Sequence, residues 1–522
     1  MIIADLIRRS CAQHATRVAV QHDDRTQTYA QLWDRSVRLV NALRSLGIEP
    51  GDRVATLAPN SLTTLEAMTG LALGGYVRTA LHGMNAAEAH AYMLANAGAR
   101  ALITTAELHR RFADTFAGVA GLEHVIVQGA PDGVLDYESL LAAAGADDPK
   151  VPVTGDSLLH LAYSSGSSGR PKASTHSHRS WMHVTADHAL MLPRLTAEDT
   201  YLAAAPLTHA ASTVIYALLA RGCRVVVMDR FDAGLALELI DRERCTVTVM
   251  VPTMLQMIVN HEAAADFDLS SLRAVLYAGA PISPGTARRS RDLLGDVLFQ
   301  TYGQSECLPA TSLTPEDHAE GALSNATLLR SAGRPCLNSS VRILDDDGND
   351  LGVAQIGEIA VHTDGRMLGI HGDAEATAAR LTPDGYVRTR DSGYLDERGY
   401  LYVVDRKDDM IISGGFNIWP AEIENALGQH GAVEDVVVVA VPHPKWGETP
   451  HAVVRLREQA SATEQELIDF CRDKLGSMKK PTAVAFTLDP FPRSDLGKLR
   501  RREIRDRFWP VEPAHARNVT GA

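Results

Sequence analysis

The sequence predicts an α/β protein. Its large N-terminal domain combines parallel-rich sheets covered by helices with a β subdomain, and a small α+β domain follows at the C-terminus. Three observations carry this. As far as Gly333, short apolar runs alternate with helical patterns, the rhythm of parallel strands joined by helices. Beyond Gly333, runs such as residues 341–344 and 356–361 are separated by Asp/Gly turns, which is a hairpin texture. The last segment sets two strand-like runs, residues 436–441 and 452–456, beside a capped helix.

In chain order, Thr28-Tyr29-Ala30-Gln31 is a capping box. Leu32, Leu39, Leu43 and Leu46 recur behind it at helical spacing, and Gly47 supplies the stop. Residues 52–57 read as a strand closed by Pro59-Asn60, and residues 101–104 as another. The run 158–162 delivers the chain into Ser164-Ser165-Gly166-Ser167-Ser168-Gly169, then Arg170-Pro171-Lys172. Further strand-like runs end in Pro206-Leu207-Thr208-His209, in Ala278-Gly279-Ala280-Pro281 and in Tyr302-Gly303-Gln304-Ser305-Glu306. Loops of small and polar residues at strand ends are what a site at the C-terminal edge of a parallel sheet requires. The charge cluster 405–409 is the best linker candidate. Thr463-Glu464-Gln465-Glu466 is a second capping box, with Leu467, Phe470, Cys471 and Leu475 as the buried stripe and Gly476 as the stop.

Composition excludes several function classes. A formal net charge of −13 argues against a general nucleic-acid or anionic-membrane surface, and 5% aromatic residues leave no stacking platform for single strands. The six cysteines are scattered without a C-x-x-C pair, as expected of a reducing compartment and of neither a zinc site nor a disulfide framework. His176, His178 and His183 lack ligand spacing. Asp5, Arg8 and Arg9 interrupt the place of a signal peptide, and no apolar run reaches the ~18 residues of a membrane span. The expected setting is soluble and cytoplasmic.

The loop 164–169 carries the strongest chemistry. Its two glycines let the backbone wrap an anion, its four serines add donors, and Lys172 adds a point charge. It is not a Walker A loop: Arg170 and Pro171 separate glycine from lysine, and Pro171 denies the immediate helix start. Taken singly, the other motifs have plain structural readings. His209 alone reads as a satisfied structural histidine, the 302–306 run as a strand exit, and Arg500 to Arg502 as a solvated helix face.

In their order and spacing, however, these motifs resemble those of the adenylate-forming superfamily of acyl-CoA synthetases, amino-acid adenylation domains and luciferases, across nearly the whole chain. Serines stand where the family's phosphate loop usually has threonines, and Ala173 where it ends in glycine. The resemblance implies that Ser164, Ser165, Gly166, Ser167, Ser168, Gly169 and Lys172 bind the phosphates of ATP. It places Gly279, Ala280, Pro281, Tyr302, Gly303, Gln304 and Ser305 at the nucleotide, and Asp391 and Arg406 at its ribose. Glu306, with Ser168, would hold Mg²⁺. His209, Ala210, Ala278 and Gly279 would border the acyl pocket. Asp408 would be the hinge between domains 1–406 and 407–522, making the second a mobile lid. Gly414 and Gly415 would line the thiol's path, and Lys498 would reach the α-phosphate and the carboxylate. Arg390 stands where the family usually has glycine beside this aspartate. Two readings stay open for it: a contact to Asp391 or a phosphate, or a solvent-facing side chain.

The implied activity is that of an acyl-CoA synthetase. A carboxylic acid reacts with ATP to an acyl adenylate, and coenzyme A then takes the acyl group. Residues 207–212 lack the aspartate that amino-acid adenylation domains use for the substrate amine, and no carrier domain follows before Ala522. Both favour free CoA as acceptor, with an acyl carrier protein or a single half-reaction as the alternative and a silent nucleotide-binding relative disfavoured by Lys498 and Glu306. Alanines 203–205, 210, 211, 278 and 280 suggest a roomy, uncharged pocket for an apolar acid, although alanines at strand ends also serve plain sheet packing. A homodimer stays open.

Overall fold

The structure, a computed structural model, describes residues 1–164, 171–280, 282–406, 410–413, 416–443, 445–476, 479–493 and 499–509. The chain divides into two compact units. The first comprises Met1–Arg342, Ala360–Thr389 and Gly399–Leu401; the second comprises Ile343–Ile359, Arg390–Arg398 and Tyr402–Ala522.

Two sheets organise the first unit. The eight-stranded sheet runs Gly369–Ile370, Lys172–Ser177, Leu158–Ser164, Val77–Ala80, Arg53–Leu57, Ala99–Thr105, His124–Gln128, Leu135–Asp136. It is parallel from Leu158–Ser164 onward and antiparallel at the other edge. The nine-stranded sheet runs Arg334–Pro335, Cys307–Leu313, Leu298–Gln304, Ala274–Tyr277, Val247–Met250, Thr200–Ala203, Arg224–Val227, Val18–His22, Arg25–Thr28. Its six inner strands are parallel and its edges antiparallel. Every residue of Val77–Ala80, Thr200–Ala203, Val247–Met250 and Ala274–Tyr277 is buried, as strands covered on both faces must be.

Local signals set the helices. Thr28 and Gln31 close their capping box on helix Tyr29–Ser45, which buries Leu32, Leu39 and Leu43 and stops at Gly47, where φ is +78°. Helix Leu62–Leu73 is different in kind: every residue from Thr63 to Leu73 is buried, Glu66 included. Glu66 is 0% exposed, yet its carboxylate is fully engaged. Arg35 donates from Nε (2.5 Å) and Nη2 (3.0 Å), Gln27 from Nε2 (2.5 Å) and Tyr137 from its hydroxyl (2.8 Å). This one carboxylate ties three helices and an edge strand together, and removing a partner from such a buried pair costs about 3–5 kcal/mol.

A four-stranded sheet, in the order Ser339–Leu344, Gly357–Thr363, Val387–Leu395, Leu401–Arg406, forms the β-rich stretch expected beyond Gly333. In the second unit, Val433–His443 and Gly447–Leu456 pair antiparallel over their length, with Ala483–Phe486 parallel on the latter. Both strands are longer than the sequence runs predict, because their polar ends are held by the same ladder. Helices Pro420–Leu427 and Glu464–Leu475 belong with this sheet, and Ile423, Leu427, Val438, Val454, Leu467 and Cys471 share its core. The second capping box closes on the second helix, while Phe470 is only half-buried, edge-on to His430. Arg501 departs from the expected solvated face: its guanidinium is part-buried on Glu424 and the Val438 carbonyl. Among the described residues no helix is long and apolar enough to cross a membrane.

Burial holds His178 and His188 neutral, with pKa values pushed down to about 4 from 6.5. Above the unfolded value both states are neutral and stability is complete. As pH falls from that value towards about 4, the unfolded chain takes up protons that the folded one refuses, so stability drops. Urea unfolding at about pH 7 and about pH 5 should show a loss of about 1–2 kcal/mol per histidine, and less in His178→Asn. Equal losses in variant and parent would contradict this.

Candidate active site

Parallel strands place the motif loops together. In the nine-stranded sheet Thr200–Ala203, Ala274–Tyr277 and Leu298–Gln304 run the same way, so residues 206–209, 278–280 and 304–306 leave one edge. Ser164 ends its strand in the eight-stranded sheet as the register partner of Lys172, which begins the next. A strand and not a helix follows, as Pro171 dictates. Ser165, Gly166, Ser167, Ser168 and Gly169 lie outside the described residues, as do Pro281, Asp408, Gly414, Gly415, Lys498 and the side chain of Arg406.

Glu306 sits in the turn between Leu298–Gln304 and Cys307–Leu313. A Cβ at Gly303 would lie 2.9 Å from the Cys307 carbonyl oxygen, so only glycine lets this hairpin close. Four contacts fix the turn. His176 donates Nε2–H to the Ser305 carbonyl (2.7 Å), and the Met367 amide donates to the Glu306 carbonyl (2.8 Å). Ser305 donates its hydroxyl to Glu306 Oε2 (2.7 Å), and Arg380 donates Nη2 to Oε1 (2.7 Å). His176 is fully buried, and burial pushes its pKa down to about 4, so the ring is neutral and its Nε2 carries the proton the carbonyl needs. Gln304 donates to the Thr389 carbonyl (2.9 Å) beside it.

Arg380 ends helix Ala374–Arg380, and Asp373 caps its start by accepting from the Ala376 amide (2.8 Å). The other Asp373 oxygen takes Lys172 Nζ at 3.1 Å. That capping amide, then Lys172, holds the Asp373 carboxyl below the usual range. One short helix therefore engages both the phosphate-loop lysine and Glu306. Sequence reasoning missed Asp373, Arg380 and the brace made by His176. No local signal marks them, because each acts on a partner remote in sequence.

His209 and Ala210 follow Pro206-Leu207-Thr208, and the His209 ring stacks on His82 at 5.6 Å. Asn60 staples this segment: its amide donates to the carbonyls of Ala203 (3.2 Å) and Ala205 (2.9 Å) and accepts from the Leu207 amide (2.8 Å). Ala203, Ala204 and Ala205 are buried, which is the packing reading of those alanines. Two cavities lie beside this segment, one bordered by Thr208 and one by Ser212, and Arg78 lines both. Neither is lined by Ala210, Ala278 or Gly279, and Arg78 departs from the uncharged pocket expected. Ala278 and Ala280 are half-buried, and Gly279, at φ +90°, is exposed. Tyr302 is half-buried on its strand. Asp391, 8% exposed, lies on Val387–Leu395 in the second unit. Arg390 beside it has φ +62°, the left-handed region, and its amide donates to Glu358 (3.2 Å).

Residues 7–371 match the family model of the AMP-binding enzymes, and residues 422–498 that of the AMP-binding enzyme C-terminal domain. A feruloyl-CoA synthase from Amycolatopsis sp is 38% identical over 505 residues, spanning 96% of this chain and 97% of that one. A fatty acid–[acyl-carrier-protein] ligase from Streptomyces coeruleorubidus is 33% identical over 95% of each chain. Among solved structures, the amide bond synthetase McbA from Marinactinospora thermotolerans aligns with a TM-score of 0.88 at 30% identity, covering 97% of this chain and 100% of that one.

The backbone at Arg390 yields a prediction. Relief of left-handed strain is worth about 1–2 kcal/mol, offset by about 0.4–1 kcal/mol from glycine's greater freedom in the unfolded chain. Arg390→Gly should therefore stabilise by about 0.5–1 kcal/mol in denaturant unfolding. A loss of stability would mean that contacts of the Arg390 side chain outweigh the strain.

Proposed function

The chain belongs to the AMP-binding enzyme family, and from that premise we propose that it is an AMP-forming acid–thiol ligase that makes an acyl-CoA from a carboxylic acid, ATP and CoA. The observation that carries the reading is the clamp described above, in which helix Ala374–Arg380 engages Lys172 at one end and Glu306 at the other. Those residues occupy the phosphate-loop and Glu motif positions of a chain matched by the family model over residues 7–371.

In the first step a carboxylate oxygen attacks the α-phosphorus of ATP, forming the acyl–phosphate bond as pyrophosphate leaves. The nucleophile is already ionised, so no general base is needed. The obstacle is charge: one anion approaches another. Lys172, the serine loop and Lys498 supply the compensating donors. In the second step the thiol sulfur of CoA attacks the acyl carbonyl, its proton is lost, and AMP leaves. Tyr302, Gly279 and Ala280 flank the nucleotide, and Asp391 and Arg406 take its ribose and phosphate. His209 and Ala210 border the acid. The lid, residues 407–522, pivots at Asp408 so that Lys498 serves the first step and Gly414 and Gly415 the second.

Glu306 fits Mg²⁺ as a single carboxylate donor, with Ser168 as its companion. Among the described residues no group of three or more His, Cys, Asp or Glu could hold a metal. That suits a cation that takes one or two carboxylates and completes its shell with phosphate and water oxygens. When bound, it neutralises phosphate charge.

The acid has an apolar body, since Met68, Ala72, Leu159 and Trp181 line one cavity beside His209's loop. A second reading of the acceptor rests on two relatives: one is named a ligase of an acyl-carrier protein and another an amide bond synthetase, so a carrier thiol or an amine could replace CoA.

Lys498→Ala separates the half-reactions. Acid-dependent ATP–pyrophosphate exchange should fall on the order of 10²–10³-fold, while synthetic acyl-AMP plus CoA gives thioester at near the parent rate. Equal loss of both, in a folded variant, would overturn the two-conformation scheme.

A further inference from the structure

Resting on that reading, we propose that Arg78 selects the acid: it holds an acceptor oxygen carried at the end of the substrate remote from the reacting carboxylate. Arg78 lies on Val77–Ala80, in register with His160 of Leu158–Ser164, and is 7% exposed. Its guanidinium makes one hydrogen bond to protein, from Nη2 to the Leu207 carbonyl at 3.2 Å, and Nε has no partner. Among the described residues no carboxylate pairs with it. Burial lowers its pKa to about 10, which leaves it a cation at neutral pH. Burial, and then Arg78 itself, pushes His160 well below its ordinary value, so no second charge answers it. Buried charges are ordinarily paired, and a guanidinium left without an anion in low dielectric is strongly unfavourable.

The missing partner is external. Two cavities meet at Arg78. In the first, Thr56 Oγ1 and Thr208 Oγ1 also lack partners, so three unsatisfied polar atoms belong to residues lining one space. The second is largely apolar, with Met68, Leu159 and Trp181. Thr208 immediately precedes His209, and His82, just beyond the strand of Arg78, stacks on the His209 ring. An acid whose carboxylate reacts beyond His209 would send its tail towards Arg78. Arginine only donates, and the threonine hydroxyls serve either way, so the complementary group is an acceptor oxygen. A phenolic oxygen and a second carboxylate share this chemistry.

The test uses the full chain and matched acids: 3-phenylpropanoate against 3-(4-hydroxyphenyl)propanoate, and hexanoate against hexanedioate. Two readouts are taken, ATP–pyrophosphate exchange and calorimetric binding of the acid alone. The parent should prefer the oxygenated member of one pair on the order of 10²-fold, the pair identifying the phenolic or the carboxylate source. In Arg78→Met that ratio should collapse towards one, with the oxygenated acid losing far more than its plain partner. Thr56→Val should erode it several-fold in the same direction, and it serves if the arginine variant fails to fold. A parent ratio near one for both pairs, in exchange and in binding, would overturn the proposal. So would Arg78→Met lowering both members alike, because the guanidinium would then only support the Leu207 carbonyl or hold water. If no acid supports exchange but the binding preference is present and lost in Arg78→Met, the ligase reading fails and this one stands.

Discussion

The buried ion pair between Arg380 and Glu306 is the contact on which the site depends. At 16% and 8% side-chain exposure it lies where solvent screens little, and breaking such a pair costs about 3–5 kcal/mol. It anchors the turn after Leu298–Gln304, which His176 and the Met367 amide hold from other elements. Through Ala374–Arg380 it also fixes Asp373, and hence Lys172. The two pairs differ in strength. Lys172 and Asp373 are 41% and 39% exposed, and a pair that open to water is worth only about 0–1 kcal/mol. A triphosphate can therefore take Lys172 from Asp373 at little cost, whereas Glu306 stays where Arg380 holds it. The clamp keeps the acidic group fixed and the phosphate lysine available.

Local and periodic features of the fold were legible in the sequence. Both capping boxes close as read, because Thr28 with Gln31 and Thr463 with Glu466 interact within a single turn. Strand ends carrying the motifs were legible too, since parallel βα units leave their loops on one edge. What escaped is long-range. Asp373 meets Lys172 across 201 residues and Arg380 meets Glu306 across 74, and nothing in the run AEATAAR signals either. Arg78 was hidden differently: in VRTA it reads as one polar residue of a short strand, and its isolation exists only once both sheets are in place. The alanines at 203–205 illustrate the reverse error, pocket-like in sequence but packed in the fold.

The site divides into parts with separate duties. Glycines act by geometry: Gly303 lets its hairpin close, and Gly279 adopts a positive φ. Asn60 sets the path of residues 203–207 through three hydrogen bonds, which positions Thr208 and His209 without touching either ring. The phosphate chemistry is thus held by one set of contacts and the acid's surroundings by another. That separation allows a common activation step to serve acids of different shape.

Activation of the carboxylate as an adenylate is the central claim, and an oxygen label tests it most directly. The acid is supplied with ¹⁸O in its carboxylate, together with ATP and CoA, and the AMP released is weighed by mass spectrometry. Attack of the carboxylate on the α-phosphorus leaves one labelled oxygen on AMP once the thiol has taken the acyl group. The account predicts AMP carrying a single ¹⁸O in step with acyl-CoA formed. Acyl-CoA formation with unlabelled AMP would contradict it.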